Sequence, residues 1–473
     1  MYPYYSESRA SLVNQLEPME GSMTNLSFSF LLKRALGVCL VTTVFPFPVL
    51  GNGVRIQLRD FSLAEHSATP PGWQTWAQRE EIMPRCYVDA TQFRSAPNAL
   101  AIAGNSNAAE YGGWGYRLSN IQGGRFYRLT AYYRTQWVQH EQLQVVARLD
   151  WRDSKDERVG QPDYAYRVEP AGDWKKITLQ GRAPEKSTQA KLELALGWSP
   201  QGTVWWDDIT FEEVPAPQER IVRLGSVALR PRDTGSKEES VNAFCRALDR
   251  VALDKPDIVC LGEGITKVGN GETYVTLAEP IPGPTTERLG QKARQHKMYI
   301  VAGIFEREGN AVYNTAVLID RQGKVAGKYR KVYLPREEIE AGLTPGVAYP
   351  VFETDFGKIG MMICWDVEYV DPARALAAQG AEIILMPIWG GNYTLMKARA
   401  IENHVFLVSA GYDVETAIIN PNGEALHATK ASGVTKTIPV NLNERFLDPW
   451  LGDMRARFHK EIRWDVPIVG LVK

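Results

Sequence analysis

The sequence predicts a multidomain chain: a leader over residues 1–52, an all-β sandwich over 53–215 and an α/β layered domain over 219–473. Three observations carry that division. The chain has 473 residues, more than one hydrophobic core organises, so two or three domains are expected. From Val54 to Val214 short alternating segments are broken by glycine, proline and polar turns, with no helical period. After Pro215-Ala216-Pro217, a rigid linker that cannot continue a strand, apolar runs begin to alternate with longer amphipathic stretches.

Composition narrows the function. Hydrophobic residues make up 44% and charged residues 23%, ordinary for a globular protein, and the formal net charge is -1 with both signs interspersed. No Lys/Arg run is long enough to neutralise a phosphate track, so nucleic acid is not an expected partner. The five cysteines (Cys39, Cys86, Cys245, Cys260, Cys364) contain no C-x-x-C pair, and the six histidines show no H-x-x-x-H or H-E-x-x-H spacing. No metal and no cofactor are therefore expected.

In the leader, Lys33 and Arg34 precede an apolar run from Ala35 to Leu50 that is too short to cross a bilayer and carries Pro46 and Pro48 late. This predicts an export signal ending near Gly51, placing the protein in the periplasm or outside the cell. An uncleaved leader would instead leave it membrane-associated. Leu36-Gly37-Val38-Cys39 ends in a cysteine as a lipoprotein signal does, but Val38 is a poor residue before the cleavage point and Cys39 lies inside the run. Simple export is preferred to lipidation.

The β part is read from runs such as Phe126 to Tyr133, Leu143 to Leu149, Lys191 to Leu196 and Val204 to Phe211. Nine of the thirteen tryptophans fall here, and strand alternation predicts that Trp205 and Trp206 point to opposite faces. Tryptophans in a sandwich default to scaffold; an exposed aromatic face would be a sugar platform. The pattern Tyr-Arg-Leu-Thr-Ala-Tyr-Tyr from 127, Trp174-Lys175-Lys176-Ile177 and Trp-Trp-Asp-Asp-Ile at 205–209 resembles the jelly-roll modules of galactose-binding-like and carbohydrate-binding families. That resemblance implies a jelly roll and admits a glycan as partner.

In the α/β part, strands are expected at Arg223 to Ala228, Ile258 to Leu261, Tyr299 to Phe305, Thr315 to Asp320, Gly357 to Cys364, Glu382 to Pro387 and Val405 to Gly411. Helices are expected at Ser240 to Leu253, Glu287 to His296, Pro372 to Gly380 and Tyr393 to His404. Cys245 and Cys260 fall in core patterns of these elements. Gly360 to Cys364 is a buried strand ending at a cysteine, with Pro372 suited to open the next helix. A cysteine so placed is held rigidly at a sheet edge, as a nucleophile requires. Alone it would read as a core thiol. Two further strand ends change that reading: Asp257 to Glu263 terminates on a carboxylate, and Gly327 to Pro335 places Lys331 on an extended stretch. The loop Pro387 to Asn392 follows the next strand and is expected to line the pocket. His404 and His427 are the weaker candidates for a Cys-His dyad.

Glu263, Lys331 and Cys364 in that order resemble the nitrilase superfamily of carbon-nitrogen hydrolases. The likeness runs from Arg220 to Asp465 and includes Tyr-Arg-Lys at 329–331, Leu-Thr-Pro-Gly at 343–346, Gly-Lys-Ile-Gly-Met-Met-Ile-Cys-Trp-Asp at 357–366, Ala-Arg-Ala-Leu at 373–376 and Lys-Ala-Arg-Ala-Ile-Glu-Asn at 397–403. It implies a four-layer αββα sandwich and self-association into a homo-oligomer. It also implies Glu263 as general base toward the Cys364 thiol, and Lys331 with the backbone N–H of Trp365 as oxyanion donors. A second glutamate that positions substrate is implied among Glu337, Glu338 and Glu340, and Glu338 is chosen.

Nitrilases of the family tend to carry Cys-Trp-Glu where this chain has Cys364-Trp365-Asp366, so a small-molecule amide or carbamoyl substrate is expected over a nitrile. Glu368 and Tyr369 stand where the carbamoylase type often has an arginine for a substrate carboxylate, with Arg374 late, so an acidic substrate is not expected. Acyl transfer to an amine is a second hypothesis. A secreted glycan-binding protein with an idle C-terminal scaffold is the third.

Overall fold

The computed structural model describes residues 56–58, 69–95, 97–463 and 465–466. The expected leader, with Cys39, lies outside the described residues. Those described belong to one compact unit spanning Gly51–Lys473, and among them no helix is long and apolar enough to cross a membrane.

The first part is β-rich and wholly antiparallel. One sheet runs Arg85–Asp89, Ala99–Ala103, Thr203–Val214, Phe126–Gln136, Trp174–Arg182, Arg167–Ala171, with Ile56–Leu58 also paired to Thr203–Val214. The second runs Trp73–Ala77, Tyr111–Leu118, Gln189–Gly197, Val145–Arg152, Asp163–Tyr164. Their inner faces share one core containing Leu100, Trp114, Leu129, Leu149, Leu194 and Trp206. The strand expected to begin at Leu143 begins at Val145, because Glu141–Gln144 forms one helical turn before it.

Alternation places the tryptophan pair as expected. Trp206 enters the inter-sheet core, whereas Trp205 packs outside it with Ala99, Ala101 and Trp174 and donates Nε1–H to Asp89 Oδ2 at 2.8 Å. Trp73, Trp114, Trp151 and Trp174 are also buried; Trp137 and Trp198 are exposed.

The second part holds two six-stranded mixed sheets. One is ordered Val325–Arg330, Ala311–Ile319, Tyr299–Glu308, Ile258–Cys260, Ile221–Ala228, Val434–Asn441; the other Val351–Glu353, Lys358–Met361, Ile383–Pro387, Phe406–Ala410, Thr416–Ile419, Ala425–Thr429. Side-chain period two decides what each strand faces. Ile258 and Cys260 join the core shared with the other sheet, while Val259 and Leu261 join the cluster under the helices Lys237–Val251 and Pro284–His296. Helix Lys237–Val251 buries Val241, Phe244, Cys245, Leu248 and Val251, the spacing of one helical face, and begins where the Ser236 hydroxyl accepts from Glu239 N–H. Helices Asp371–Ala378 and Tyr393–Asn403 serve the other sheet. Pro372 is the second residue of its helix, not the first, because Asp371 already has helical geometry.

The last segment returns to the β-rich part. Arg445 pairs with both Asp163 and Asp453, and Asp163 also accepts Trp151 Nε1–H at 2.9 Å. Helix Met454–Glu461 adds Lys460, which donates to the Val145 carbonyl at 2.6 Å, and His459, stacked on Tyr166 with ring centroids 5.1 Å apart.

Removing a fully buried tryptophan costs about 3–5 kcal/mol. Trp206→Ala should therefore lower unfolding stability by that amount in denaturant titration, whereas Trp137→Ala, at a residue 73% exposed, should change it by less than about 0.5 kcal/mol.

Candidate active site

Each of the three strand ends contributes one side chain. Ile258–Cys260 runs out into Glu263. The backbone there is crowded: a Cβ on Gly303 would sit 2.7 Å from Glu263 Cα, and one on Gly262 would sit 2.4 Å from Tyr412 Oη. Glycine at both positions lets the neighbouring strand and Tyr412 close on Glu263, whose carbonyl accepts the Tyr412 hydroxyl at 2.9 Å. Lys331 follows strand Val325–Arg330, its N–H donating to Asn314 O at 2.9 Å and its carbonyl accepting Gly346 N–H at 2.8 Å.

The strand expected to reach Cys364 ends at Met361. Cys364 instead opens a single 3-10 turn, Cys364–Glu368, with φ of 44°. That left-handed value is uncommon for a non-glycine residue and costs on the order of 1–3 kcal/mol. Asp366 holds the turn. Its carboxylate accepts Ile363 N–H at 2.8 Å, the Tyr329 hydroxyl at 2.7 Å and Tyr333 N–H at 3.0 Å. Tyr329 and Tyr333 flank Lys331 in sequence, so one buried carboxyl ties the lysine segment to the cysteine turn. Burial pushes the Asp366 carboxyl up to about 6 against the pull of those three donors.

Lys331 Nζ lies 2.9 Å from Glu263 Oε1 and 2.9 Å from Glu338 Oε1. Asn314 Nδ2 donates to the same two oxygens at 2.7 Å each. All four side chains are buried, Lys331 at 1% exposure. Burial alone would lower the lysine pKa, but Glu263, Cys364 and Glu338 drive it well above its ordinary value. Glu338 is raised, by burial first and by Glu263 among its neighbours, against the opposing pull of Lys331. Burial, and next the charge of Glu263, pushes the Cys364 thiol up to about 12, while Lys331 pulls it down.

Of an ammonium's three N–H groups, two are thus engaged and one is left. Each glutamate spends Oε1 on Lys331 and Asn314, while Oε2 of both is buried with no hydrogen-bond partner among the described residues. Cys364 Sγ donates to Gly390 O at 3.4 Å, and the Trp389 and Gly390 backbones bear on the sulfur, which brings the loop after strand Ile383–Pro387 against it as expected. Trp365 is second in its turn, where a helical N–H has no partner inside the turn, and its side chain is 39% exposed.

The structure brings Glu263, Lys331, Glu338 and Cys364 together. Glu337 and Glu340 are exposed, and Glu340 pairs with Arg336 instead. His404 packs against Phe458 and His427 sits on strand Ala425–Thr429, so neither joins the cluster. Sequence reasoning missed Asn314 and Tyr412: a polar residue within an apolar strand run was the available signal for the first, and the second had none.

Residues 223–442 match the family model described as carbon-nitrogen hydrolase. This segment is a carbon-nitrogen hydrolase domain of the nitrilase superfamily. The chain is 27% identical over 259 residues to omega-amidase NIT2 of Xenopus tropicalis, covering 49% of this chain and 88% of that protein. It is 37% identical over 145 residues to the bifunctional nitrilase/nitrile hydratase NIT4B of Lupinus angustifolius, covering 29% of this chain and 40% of that one. An amidase structure from Nesterenkonia sp. superposes with a TM-score of 0.43 at 21% identity, covering 49% of this chain and 95% of that one.

In this hydrolase domain the resting thiol is protonated at neutral pH. Ultraviolet difference titration of the native protein against Cys364→Ala should show no thiolate step below about pH 9, above the ~8.5 of a free cysteine. A step near pH 7 would contradict the burial and the carboxylate charge at the sulfur.

Proposed function

We propose that the hydrolase domain cleaves a small carboxylic amide, releasing ammonia or an amine, through a thioester on Cys364. What carries this reading is the division of labour on the two glutamates: Oε1 of each is fixed by Lys331 and Asn314, and Oε2 of each has no partner among the described residues.

Glu263 Oε2 takes the Sγ proton as the sulfur attacks the amide carbon, since a thiol near 12 supplies too little thiolate on its own. The carbonyl π electrons move onto oxygen, where the third Lys331 N–H and the Trp365 N–H receive the negative charge. Collapse expels the amine, which leaves with the proton held by Glu263. Water then gives a proton to Glu263 and adds to the thioester carbon. Expulsion of the sulfur, reprotonated by Glu263, yields the carboxylic acid. Glu338 Oε2 accepts an N–H of the substrate amide and so orients it. Two supports favour amide over nitrile: Asp366 follows Cys364-Trp365, and the alignment spans most of an omega-amidase but under half of a nitrilase/nitrile hydratase.

We further assign the β-rich part, residues 53–215, as a jelly roll and residues 219–473 as an αββα four-layer sandwich. Supporting this are two antiparallel sheets around one core, and two mixed sheets that share a core, with helices on their outer faces.

Ammonia release from a panel of short amides and their matched nitriles tests the activity. The amides should turn over and the nitriles should not. Cys364→Ala should remove turnover with an unchanged melting curve, and Glu263→Gln should lower kcat by about 10²–10⁴-fold. Faster nitrile turnover would overturn the amide assignment, and retained turnover in Cys364→Ala would overturn the mechanism.

A further inference from the structure

Away from Cys364, the β-rich part and the hydrolase domain flank an open cleft of about 500 Å³. Its walls come from both: Tyr166 and Arg167 on one side, and His404, Arg455 and His459 on the other. That volume lies within the ~300–1,000 Å³ of small-molecule sites, which favour junctions between domains.

The charges around this cleft do not cancel. Glu382 is held by Arg220 at 2.8 Å, and Glu169 faces Lys176 at 3.3 Å. Lys358 is taken by Glu353 at 3.0 Å. Arg167 and Arg455 are left, and neither forms an ion pair among the described residues. The Arg455 guanidinium reaches only the carbonyls of His404 and Leu442, at 3.3–3.4 Å, so it has donor capacity to spare. Arg167 lies beside the Tyr166 ring, hydrogen-bonds that side chain and feels the charges of Glu382 and Asp453 without an ion pair to either, and its surface is open to the cleft.

His404 is lowered to about 4 by burial and then by Arg455; His459 is lowered to about 4 by burial, then by Arg455, His404 and Arg167. Both are neutral at pH 7 and keep an N–H to donate. The stacked rings of Tyr166 and His459 span the two walls, their planes 4° apart.

We propose that this cleft binds a small organic anion through a phosphate or carboxylate group, which Arg167 and Arg455 grip from opposite walls beside the Tyr166–His459 stack. Such a ligand joins the two parts of the chain without touching the catalytic cluster. This assignment does not depend on the amide reading: it rests on two guanidinium groups that line one cavity outside any ion pair among the described residues, a setting in which arginine recognises oxyanions.

Isothermal titration of the full chain at low ionic strength, with inorganic phosphate, citrate and glucose as probes, tests it. Phosphate or citrate should bind saturably and glucose should not, and the tighter of the two identifies the group preferred. Arg167→Gln, at an exposed position, should weaken that binding by about tenfold or more, with the melting curve and ammonia release unchanged. Arg455→Gln should weaken binding by a similar factor, with a lower melting temperature because the bonds to His404 and Leu442 are lost, and added salt should weaken binding in the native protein. Absence of saturable binding by both anions, or equal affinity in Arg167→Gln and the native protein, would overturn the proposal.

Discussion

Everything at the candidate site depends on one ammonium group placed where water cannot reach it. Lys331 is 1% exposed, and stripping an ammonium of water costs several kcal/mol unless its partners are close and well oriented. The fold meets that demand with residues from three elements: Glu263 beyond strand Ile258–Cys260, Asn314 on strand Ala311–Ile319, and Glu338 in the short helix Arg336–Glu340. Asn314 is the least obvious and the most economical of them. Its two N–H groups satisfy the same oxygen on each glutamate that the lysine uses, so the two carboxylates are held in place while their other oxygens have no hydrogen-bond partner among the described residues.

A second constraint ties the charge to the sulfur. The turn at Cys364 is in an unfavourable backbone region, and such a conformation persists only where the surroundings over-determine it. Asp366 supplies much of that determination by bonding at once to the turn's own N–H and to residues on both sides of Lys331. Its oxygens are occupied within the fold, so the residue that helped to choose between amide and nitrile in the sequence is a brace in the structure. A glutamate there would be one methylene longer and would have to brace the turn from a different distance.

Much of this was legible before any coordinates. Cys364 and Glu263 each end a short apolar run and Lys331 sits on an extended basic stretch; each alone is a weak signal, and their order and spacing make it strong. The alternation that sent Trp205 and Trp206 to opposite faces is a backbone property and survives any tertiary context. Glu338 was harder. Three glutamates lie within four positions, and helix phase runs against hydropathy there: Glu338 is 5% exposed while its neighbour Ile339 is 60% exposed. The buried Lys331 ammonium and the Asn314 amide, both bonded to Glu338 Oε1, explain that inversion. The return of the C-terminal segment to the β-rich part, through Arg445 on Asp163 and Lys460 on the Val145 carbonyl, left no trace in local pattern. These contacts join residues some 280 and 315 positions apart, and pairwise ionic contacts at such separation have no periodicity to read.

On the proposed mechanism the sulfur of Cys364 carries the acyl group. Acid-quenched incubation with propionamide, followed by peptide mass mapping, tests it most directly. A propionyl adduct should appear on the peptide containing Cys364 and be absent in Cys364→Ala. Turnover of the amide with the adduct on another residue, or with no adduct in a quench faster than one catalytic cycle, would contradict it.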